Sequence, residues 1–252
     1  MTSNAGPETP ARIGPGHPPR RRHWWRWILL GAGALVVLVF AAAALFIKLS
    51  PDLPPLALPA ARASAPAGPP GGTWAVGPGS VAGFRVRETV LGFSNDVVGR
   101  TNSVTGTLAI SGERVTRASF RIDLTTINEN GKSQPQFATS LGTGTHPIAT
   151  AILTRPVTLG SGFAKGATIR LAAAGQLTMR GVSRPVTITI SCRRDGSALQ
   201  AAGSIPVAFS GWGIRAPAGF GPVGSLADHG TAEFRLVLQR SDGAGRGAGT
   251  AG

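Results

Sequence analysis

Apolar and polar residues alternate along many segments of this 252-residue chain, and this alternation constrains the fold more than any other feature. The clearest runs lie at 82–87, 120–124 and 233–239, where every second residue is apolar. A period of two is typical of β-strands with one face toward an interior and the other toward water. Further β-rich runs, separated by Gly, Asp-Gly or Ser-Gly, lie at 104–110, 148–159, 167–179, 185–192 and 199–209. The sequence therefore predicts an all-β, mostly antiparallel domain over 73–240, either a barrel of about eight strands or a sandwich.

One stretch of this domain departs from the alternation. Residues 128–143 show no period of two, and we expect a short helix or a long loop there. By contrast, the dipeptide Asp195-Gly196 lies between two β-rich runs and is typical of a hairpin turn.

Outside the domain, the run ILLGAGALVVLVFAAAALFI at 28–47 contains no charged residue. As a helix it would be about 30 Å long, the thickness of the hydrocarbon core of a bilayer. Five arginines precede the run, whereas only Lys48 and Arg62 follow closely. This asymmetry predicts a single-pass transmembrane helix in the cell membrane, with a cytoplasmic N-terminus and an extracytoplasmic C-terminal domain. A cleaved signal peptide is the alternative, because small residues at 41–44 and 61–65 offer cleavage sites, although the run is longer than is usual for a signal.

Three further segments are predicted from composition alone. Residues 1–27 are polar and basic, and we expect a disordered cytoplasmic segment. Residues 48–72 are rich in Pro and Ala and predict a semi-extended linker that lifts the domain off the bilayer. Residues 241–252 are rich in Gly and predict a flexible tail.

The chain is strongly basic, with a formal net charge of +14 at pH 7. Between residues 73 and 240 there are 17 Lys and Arg against 8 Asp and Glu. A basic domain beside an anionic membrane favours contact with the bilayer surface or with an acidic head group, and a solvated basic face without a partner is the alternative. Nucleic-acid binding is not expected, because the arginines are scattered singly along alternating segments and no basic helix is present. The sequence does not indicate an oligomeric state.

No catalytic site is predicted from the residues. The domain contains two histidines, His146 and His229, and Asp228 precedes the second, but no GxSxG motif supplies a nucleophile. Two histidines without a third ligand are a weak indication of a metal site. The single cysteine, Cys192, excludes an intrachain disulfide, and its place in VTITISC predicts a small buried hydrophobe rather than a reactive thiol. We therefore expect no enzyme activity, no metal and no catalytic cofactor.

Several short motifs together resemble one known family. The run GQLTMRGVSRPVTI at 175–188 resembles the G-x-L-T-x-x-G-V-x-x-P signature of the YceI-like family, which comprises periplasmic or secreted proteins with a lipocalin-like barrel. Other segments resemble further family motifs in the same order, namely GPGSVAGFRV (77–86), VVGRTNSVTGTL (97–108), HPIATA (146–151), FSGWGI (209–214) and ADHGTAEFRLVL (227–238). The resemblance covers about 73–240, nearly the whole predicted domain.

The resemblance implies an apolar barrel interior that accepts a polyisoprenoid, an isoprenoid quinone or a related long-chain amphiphile, with basic residues near the mouth that favour an anionic head group. In the signature, we expect Gly175 and Gly181 to serve backbone geometry and Pro185 to mark a strand start or an edge position. The alternation predicts that Phe84, Phe120, Phe209 and Leu236 point into the barrel. The full set of candidate apolar lining residues is Phe84, Val86, Phe120, Ile122, Leu124, Phe137, Leu177, Phe209, Trp212 and Leu236.

The chain also departs from the family pattern. The family usually has Arg-Asp, a leucine and acidic residues in the segment that corresponds to 128–147, where this chain has Lys132, Ser133 and Pro135. In HPIATA, His146 stands where the family has an aromatic residue and Ala151 where it has Phe. The smaller residue at 151 either enlarges the interior or is compensated elsewhere.

Two functions of different classes follow from these observations. The first is a membrane-anchored lipid-binding module that holds an isoprenoid-type lipid in its barrel. The second is an anchored structural or protein-interaction domain with a filled barrel and no ligand. An apolar cavity above roughly 300 Å³ favours the first function.

Overall fold

The computed structural model describes residues 28–29, 31–35, 37–39, 41, 53–61, 65–90, 92–215 and 224–241. The chain forms two units, Met1–Pro51 and Asp52–Gly252. In the first unit the described residues between 28 and 41 are helical. Among the described residues, no helix is both long and apolar enough to cross a membrane. Part of the predicted span at 28–47, all of 1–27 and all but the first residue of the tail at 241–252 lie outside the described residues.

The described residues of the second unit form fourteen strands. The first seven are β1 (Gly72–Val76), β2 (Val81–Val90), β3 (Phe93–Thr101), β4 (Val104–Ser111), β5 (Arg114–Asp123), β6 (Asn128–Glu129) and β7 (Lys132–Ser133). The other seven are β8 (Ile148–Leu153), β9 (Val157–Thr158), β10 (Ile169–Met179), β11 (Val182–Asp195), β12 (Ala198–Ala208), β13 (Gly224–Leu226) and β14 (His229–Arg240). The runs predicted from alternation are therefore confirmed as strands.

Eight of the strands form a closed antiparallel barrel. Their order around the ring is β1, β4, β5, β8, β10, β11, β12 and β14, and the pairing of β14 with β1 closes it. Strand β14 pairs with β1 near its end, at Leu238–Arg240, and with β2 further back, at Thr231–Arg235. Because β14 pairs with both β1 and β2, and β2 pairs with β3, strands β2 and β3 extend the barrel wall beyond the end of β1. The predicted all-β barrel of about eight strands is confirmed, and the sandwich alternative is wrong.

Tight turns set the register of two long hairpins. Arg180 and Gly181 join β10 to β11 with φ angles of 51° and 74°, and Met179 pairs with Val182 on either side. Two successive positive φ angles define the type I′ turn that matches the twist of a hairpin, and glycine adopts such an angle without steric cost. The second hairpin follows Asp195, which pairs with Ala198, as the Asp-Gly dipeptide predicted.

The segment 128–143 forms strands β6 and β7 and one short helix, α1 (Pro135–Leu141). Proline opens this helix, and Gly142 ends it in the left-handed region with a φ of 66°. Its Phe137 is buried in a cluster with Met179 and Trp212. Of the two predicted alternatives, the short helix is therefore confirmed. A second short helix, α2 (Ser161–Ala164), buries its Phe163 in a separate cluster that contains Trp74 and Leu238.

The proline-rich residues 53–61 and 65–71, here called the strap, pack along the outer face of the barrel. Five arginines of the barrel donate hydrogen bonds to backbone carbonyls of the strap, namely Arg85, Arg100, Arg193, Arg194 and Arg240. The acceptors are the carbonyls of Leu53, Pro54, Pro59, Ala60, Ala67, Gly68, Pro69 and Gly71. The composition of 48–72 predicted a spacer, whereas its described part is held against the barrel. Because a polyproline-like segment leaves its carbonyls unpaired, arginine side chains can bind it without any β-pairing.

A buried ion-pair network lies under the first part of the strap. Arg85 donates from Nε to Oε1 of Glu233 and from Nη1 to Oδ2 of Asp96, both at 2.9 Å. The second Glu233 oxygen accepts the Leu56 amide at 3.2 Å, and only 6% of the Glu233 side chain is exposed. Burial lowers the pKa of Arg85, but the hydrogen bonds and charges of Glu233 and Asp96 outweigh it, so that the pKa is raised. The strap thus supplies the hydrogen-bond donor for the Glu233 oxygen that does not bind Arg85.

Candidate functional site: an apolar lumen in two parts

Among the described residues, two apolar cavities lie within the barrel wall. The first, called the barrel cavity, has a volume of about 210 Å³ and is lined from nearly every strand of the ring by residues such as Phe120, Leu171 and Leu236. The second, called the helix cavity, has a volume of about 290 Å³ and lies against α1, with Phe137 and Leu141 in its wall. Both cavities share the wall residues Phe84, Leu141, Met179 and Ala232. They are therefore adjacent compartments of one lumen.

Nine of the ten lining residues predicted from the sequence lie in these walls. Those in the barrel cavity are Phe84, Phe120, Ile122, Leu124, Leu177 and Leu236. Those in the helix cavity are Val86, Phe137, Phe209 and again Phe84. The predicted inward set of Phe84, Phe120, Phe209 and Leu236 is found in the cavity walls, and its role in ligand binding remains a prediction.

Trp212 is the exception among the predicted residues. It lies in a short 3-10 helix, Phe209–Trp212, and is buried, but it is not part of either cavity wall in the described structure. Its indole N–H points toward the Leu177 carbonyl at 3.4 Å, and its ring packs in the cluster with Phe137. The sequence analysis placed Trp212 in the lining of the lumen, whereas the ring lies behind the wall.

Three inward phenylalanines lie over glycines of the neighbouring strand. The directly opposed pairs are Phe84 with Gly99, Phe120 with Gly106 and Phe234 with Gly203. A Cβ atom added at these glycines would lie 2.5 to 2.7 Å from the ring opposite. Each ring therefore occupies the space that a side chain would otherwise take on the wall. The rings cover the wall instead of crossing the lumen, which explains how a barrel with many aromatic residues keeps its interior open.

An aromatic pair stands where the two cavities meet. The rings of Phe84 and Phe137 are 5.0 Å apart and nearly perpendicular, a favourable edge-to-face arrangement. Phe84 belongs to both cavity walls, whereas Phe137 reaches the helix cavity from α1. A rotation of the Phe84 ring would change the width of the passage between the cavities.

The few polar side chains in the walls are acidic or neutral. Among the described lining residues, the helix cavity has the polar side chains of Glu88, Gln136 and Ser140. Glu233, Gln200 and Thr231 also border the cavities, but they belong to the outward phase of their strands, where Glu233 pairs with Arg85 and Gln200 accepts from Arg193. No Lys, Arg or His occurs among the described lining residues of either cavity. The expectation of basic residues at the mouth is therefore not met within the described walls, because the arginines occupy the outward phase of the strands, as Arg85 does on β2.

Several lining residues escaped the prediction from sequence. Leu141, Ile127 and Ile214 come from α1 or from irregular segments, where no period of two exists to mark them. Met179 and Phe234 lie in strands, and the alternation around them could have identified both.

Of the candidate reactive groups, Asp228 and His229 form a pair, and Cys192 is buried. Asp228 and His229 are joined at 2.8 Å between Oδ1 and Nδ1, but both side chains are largely exposed on the surface. The hydrogen bond from His229 holds the pKa of Asp228 below its usual value. Burial raises the pKa of Cys192 to about 12, so its thiol stays protonated at neutral pH. The described residues contain no group of three or more His, Cys, Asp or Glu that could hold a metal ion.

Comparison with known proteins places this geometry in a family. A polyisoprenoid binding domain from Saccharophagus degradans, implicated in plant cell wall breakdown, is 15% identical with a TM-score of 0.54, and the match covers 68% of this chain and 99% of that one. BcnA from Burkholderia cenocepacia is 15% identical with a TM-score of 0.47, covering 61% of this chain and 95% of that one. No curated protein matches the chain. The YceI-like domain matches residues 74–238, more than half of the sequence. The chain therefore belongs to the YceI-like family.

Proposed function

We propose that this protein binds a polyisoprenoid or a similar long-chain amphiphile, including an isoprenoid quinone, non-covalently inside its barrel. The observation that carries the proposal is the pair of adjacent cavities, about 210 and 290 Å³, with almost entirely apolar walls. Taken together they exceed the roughly 300 Å³ at the lower end of ligand cavities. A structural domain with a filled barrel would not leave this space, which argues against the protein-interaction alternative.

The physical reason is the cost of a prenyl chain in water. Burial of apolar surface contributes about 25 cal/mol per Å², or about 0.8 kcal/mol for each CH₂ group. An apolar lumen that is already folded supplies this stabilisation without covalent chemistry and without ordering the wall. Because Asp228 and His229 lie on the surface and Cys192 is protonated, the proposed role is binding without chemical conversion.

We also propose that residues 28–47 anchor the protein in the cell membrane, with the barrel on the extracytoplasmic side. The support is the uncharged apolar run and the arginines that precede it. A binding domain tethered to a bilayer would have its lipid source within reach. The mass of the intact protein extracted from membranes tests the anchor, because a mature N-terminus after Ala41 would indicate a cleaved signal peptide instead.

The binding function is tested by identifying lipids that co-purify with the full-length protein in detergent. Ala151 lies in the barrel cavity wall opposite Phe120 and Leu177, so Ala151→Phe should fill the lumen. Thr150→Phe adds the same ring one position along β8, which places it on the opposite face of the strand. We expect mass spectrometry of organic extracts to detect a prenyl-chain lipid with the wild type and Thr150→Phe, and clearly less with Ala151→Phe. A lipid yield that is equal for all three proteins, or zero for all three, would contradict the proposal.

A further inference from the structure

The helix cavity carries the polar part of the lumen wall. Glu88 on β2 and Gln136 and Ser140 on α1 belong to it, whereas the barrel cavity beyond Phe84 is lined by apolar side chains, because those of Glu233 and Gln200 bind partners on the outer face. An amphiphile that fills the lumen therefore has one place for its polar end. This place is the helix cavity, and its chemistry decides which head group fits.

Glu88 is the single ionisable side chain among the described residues of the helix cavity wall. Within the described part of the chain, its carboxylate forms no hydrogen bond and no ion pair. Burial raises the pKa of Glu88, and the nearby charge of Glu129 raises it further. The position thus favours an uncharged partner that can share a proton in a hydrogen bond, and it disfavours a second negative charge.

No described cation offsets this acidic character from within the wall. Arg180 and Arg184 use their guanidinium groups to donate to the backbone carbonyls of Ser140 and Gly211, and Arg215, which follows the wall residue Ile214, is exposed. A phosphate in the helix cavity would therefore face Glu88 without a positive partner in the described wall, which is unfavourable because two negative charges repel each other.

We propose that the helix cavity selects a neutral, oxygen-bearing head group, such as a prenol hydroxyl or a quinone carbonyl, over a phosphate, and that Glu88 is the residue that makes this choice. This inference rests on the proposed function, because it concerns the polar end of the lipid in the same lumen. Gln136 and Ser140 on α1 supply additional hydrogen-bonding groups for an uncharged oxygen, including N–H and O–H donors for a carbonyl.

The test compares ligands with one chain and different head groups. The full-length protein in detergent is titrated with geranylgeraniol, with geranylgeranyl phosphate and with a quinone that carries the same four-isoprene chain. We expect the alcohol or the quinone, or both, to bind at least about ten-fold more tightly than the phosphate. Glu88→Gln should reduce this preference at least about three-fold, and Glu88→Lys should abolish or reverse it.

The matched control is Glu113→Lys, which makes the same charge change at an exposed glutamate in the turn between β4 and β5. It should leave the preference unchanged. If Glu88→Lys does not fold, Glu88→Gln alone decides, since it keeps the shape of the side chain. Tighter or equal binding of the phosphate by the wild type would overturn the head-group inference while leaving lipid binding intact. A preference that persists in Glu88→Gln would overturn the role of Glu88, and binding of none of the three ligands would instead contradict the proposed function.

Discussion

The inner and outer faces of the barrel wall use the same strands in opposite ways. On β2, Phe84 points into the lumen while Arg85 points outward to Glu233 and Asp96. The inner face is apolar and retains open space between its side chains. The outer face, over the region that the strap covers, is charged and closed by hydrogen bonds to backbone carbonyls.

The two faces of the barrel wall therefore have different roles, the outer face in stability and the inner face in binding. Buried ion pairs need every partner in place, because an unpaired buried charge is costly. An apolar lumen tolerates empty space at a smaller cost, since its lining loses only contacts. We therefore infer that the outer face of the barrel supplies fixed structure, whereas the inner face is free to accept a guest.

The largest effect is expected from breaking the outer network. Glu233→Ala removes one of the two acidic partners of Arg85, leaving Asp96, and it also removes the acceptor of the Leu56 amide. We expect a loss of about 3–5 kcal/mol in the free energy of unfolding, measured by denaturant titration. Glu113→Ala, at an exposed position, should stay within about 0.5 kcal/mol of the wild type. A small loss for Glu233→Ala would mean that the strap does not bury this ion pair in solution.

A second change tests whether the glycines hold the rings on the wall. Gly99→Ala places a methyl group 2.5 Å from the Phe84 ring, so the ring must move away from the wall. We expect a loss of about 1–3 kcal/mol from overpacking, together with weaker binding of long prenyl chains because the displaced ring narrows the passage. The control is Gly144→Ala, where no atom lies within 4 Å of the added methyl group. Unchanged stability and binding in Gly99→Ala would refute the role assigned to the Gly–Phe pairs.

A third comparison distinguishes a ring at the lumen from a ring in the packed core. Trp212→Ala should cost about 3–5 kcal/mol, because Trp212 is buried behind the cavity walls. Phe120→Ala should cost only about 1–2 kcal/mol, because one side of this ring already borders empty space. Equal losses in thermal or denaturant unfolding would show that the lumen at Phe120 is filled.

The smallest effect is expected from the acid in the helix cavity. The pKa of Glu88 is raised in the folded state, so ionisation of this group disfavours folding. The wild type therefore loses stability as the pH rises from the ordinary glutamate pKa through the raised value. Glu88→Gln should show a small increase in Tm at neutral pH that disappears at a pH below the ordinary pKa. A difference in Tm that is independent of pH would contradict the assigned environment of Glu88.

The inner face could be predicted from the sequence far better than the outer face. Alternation within a strand identifies Phe84 and Leu236 as inward residues because the period of two is local. The Gly–Phe pairs could not be predicted in the same way, since Phe84 and Gly99 meet only once the register between β2 and β3 is known. The strap was missed for a related reason. Its proline-rich sequence has no periodicity, and the contact between Leu56 and Glu233 spans 177 positions.

Charge was the least predictable property of the candidate site. The excess of arginine is evident from composition, yet composition does not tell which face of a strand a side chain occupies. Arg85 and Glu88 are three residues apart on β2 and therefore lie on opposite faces, so the basic residue points outward and the acidic residue lines the lumen. For this reason the described walls contain one inward acid, Glu88, and no basic side chain, and basic residues at the mouth remain a prediction.

A chain-length series tests whether the lumen binds a prenyl chain. Neutral prenols of increasing length are titrated into the wild type and into Ala151→Phe at two salt concentrations. Each buried CH₂ contributes about 0.8 kcal/mol, so affinity should rise by about four-fold per carbon until the lumen is full and then level off. Ala151→Phe should level off at a shorter chain, and salt should have little effect on the neutral series. An affinity that does not depend on chain length, or a plateau at the same length in both proteins, would contradict binding in the lumen.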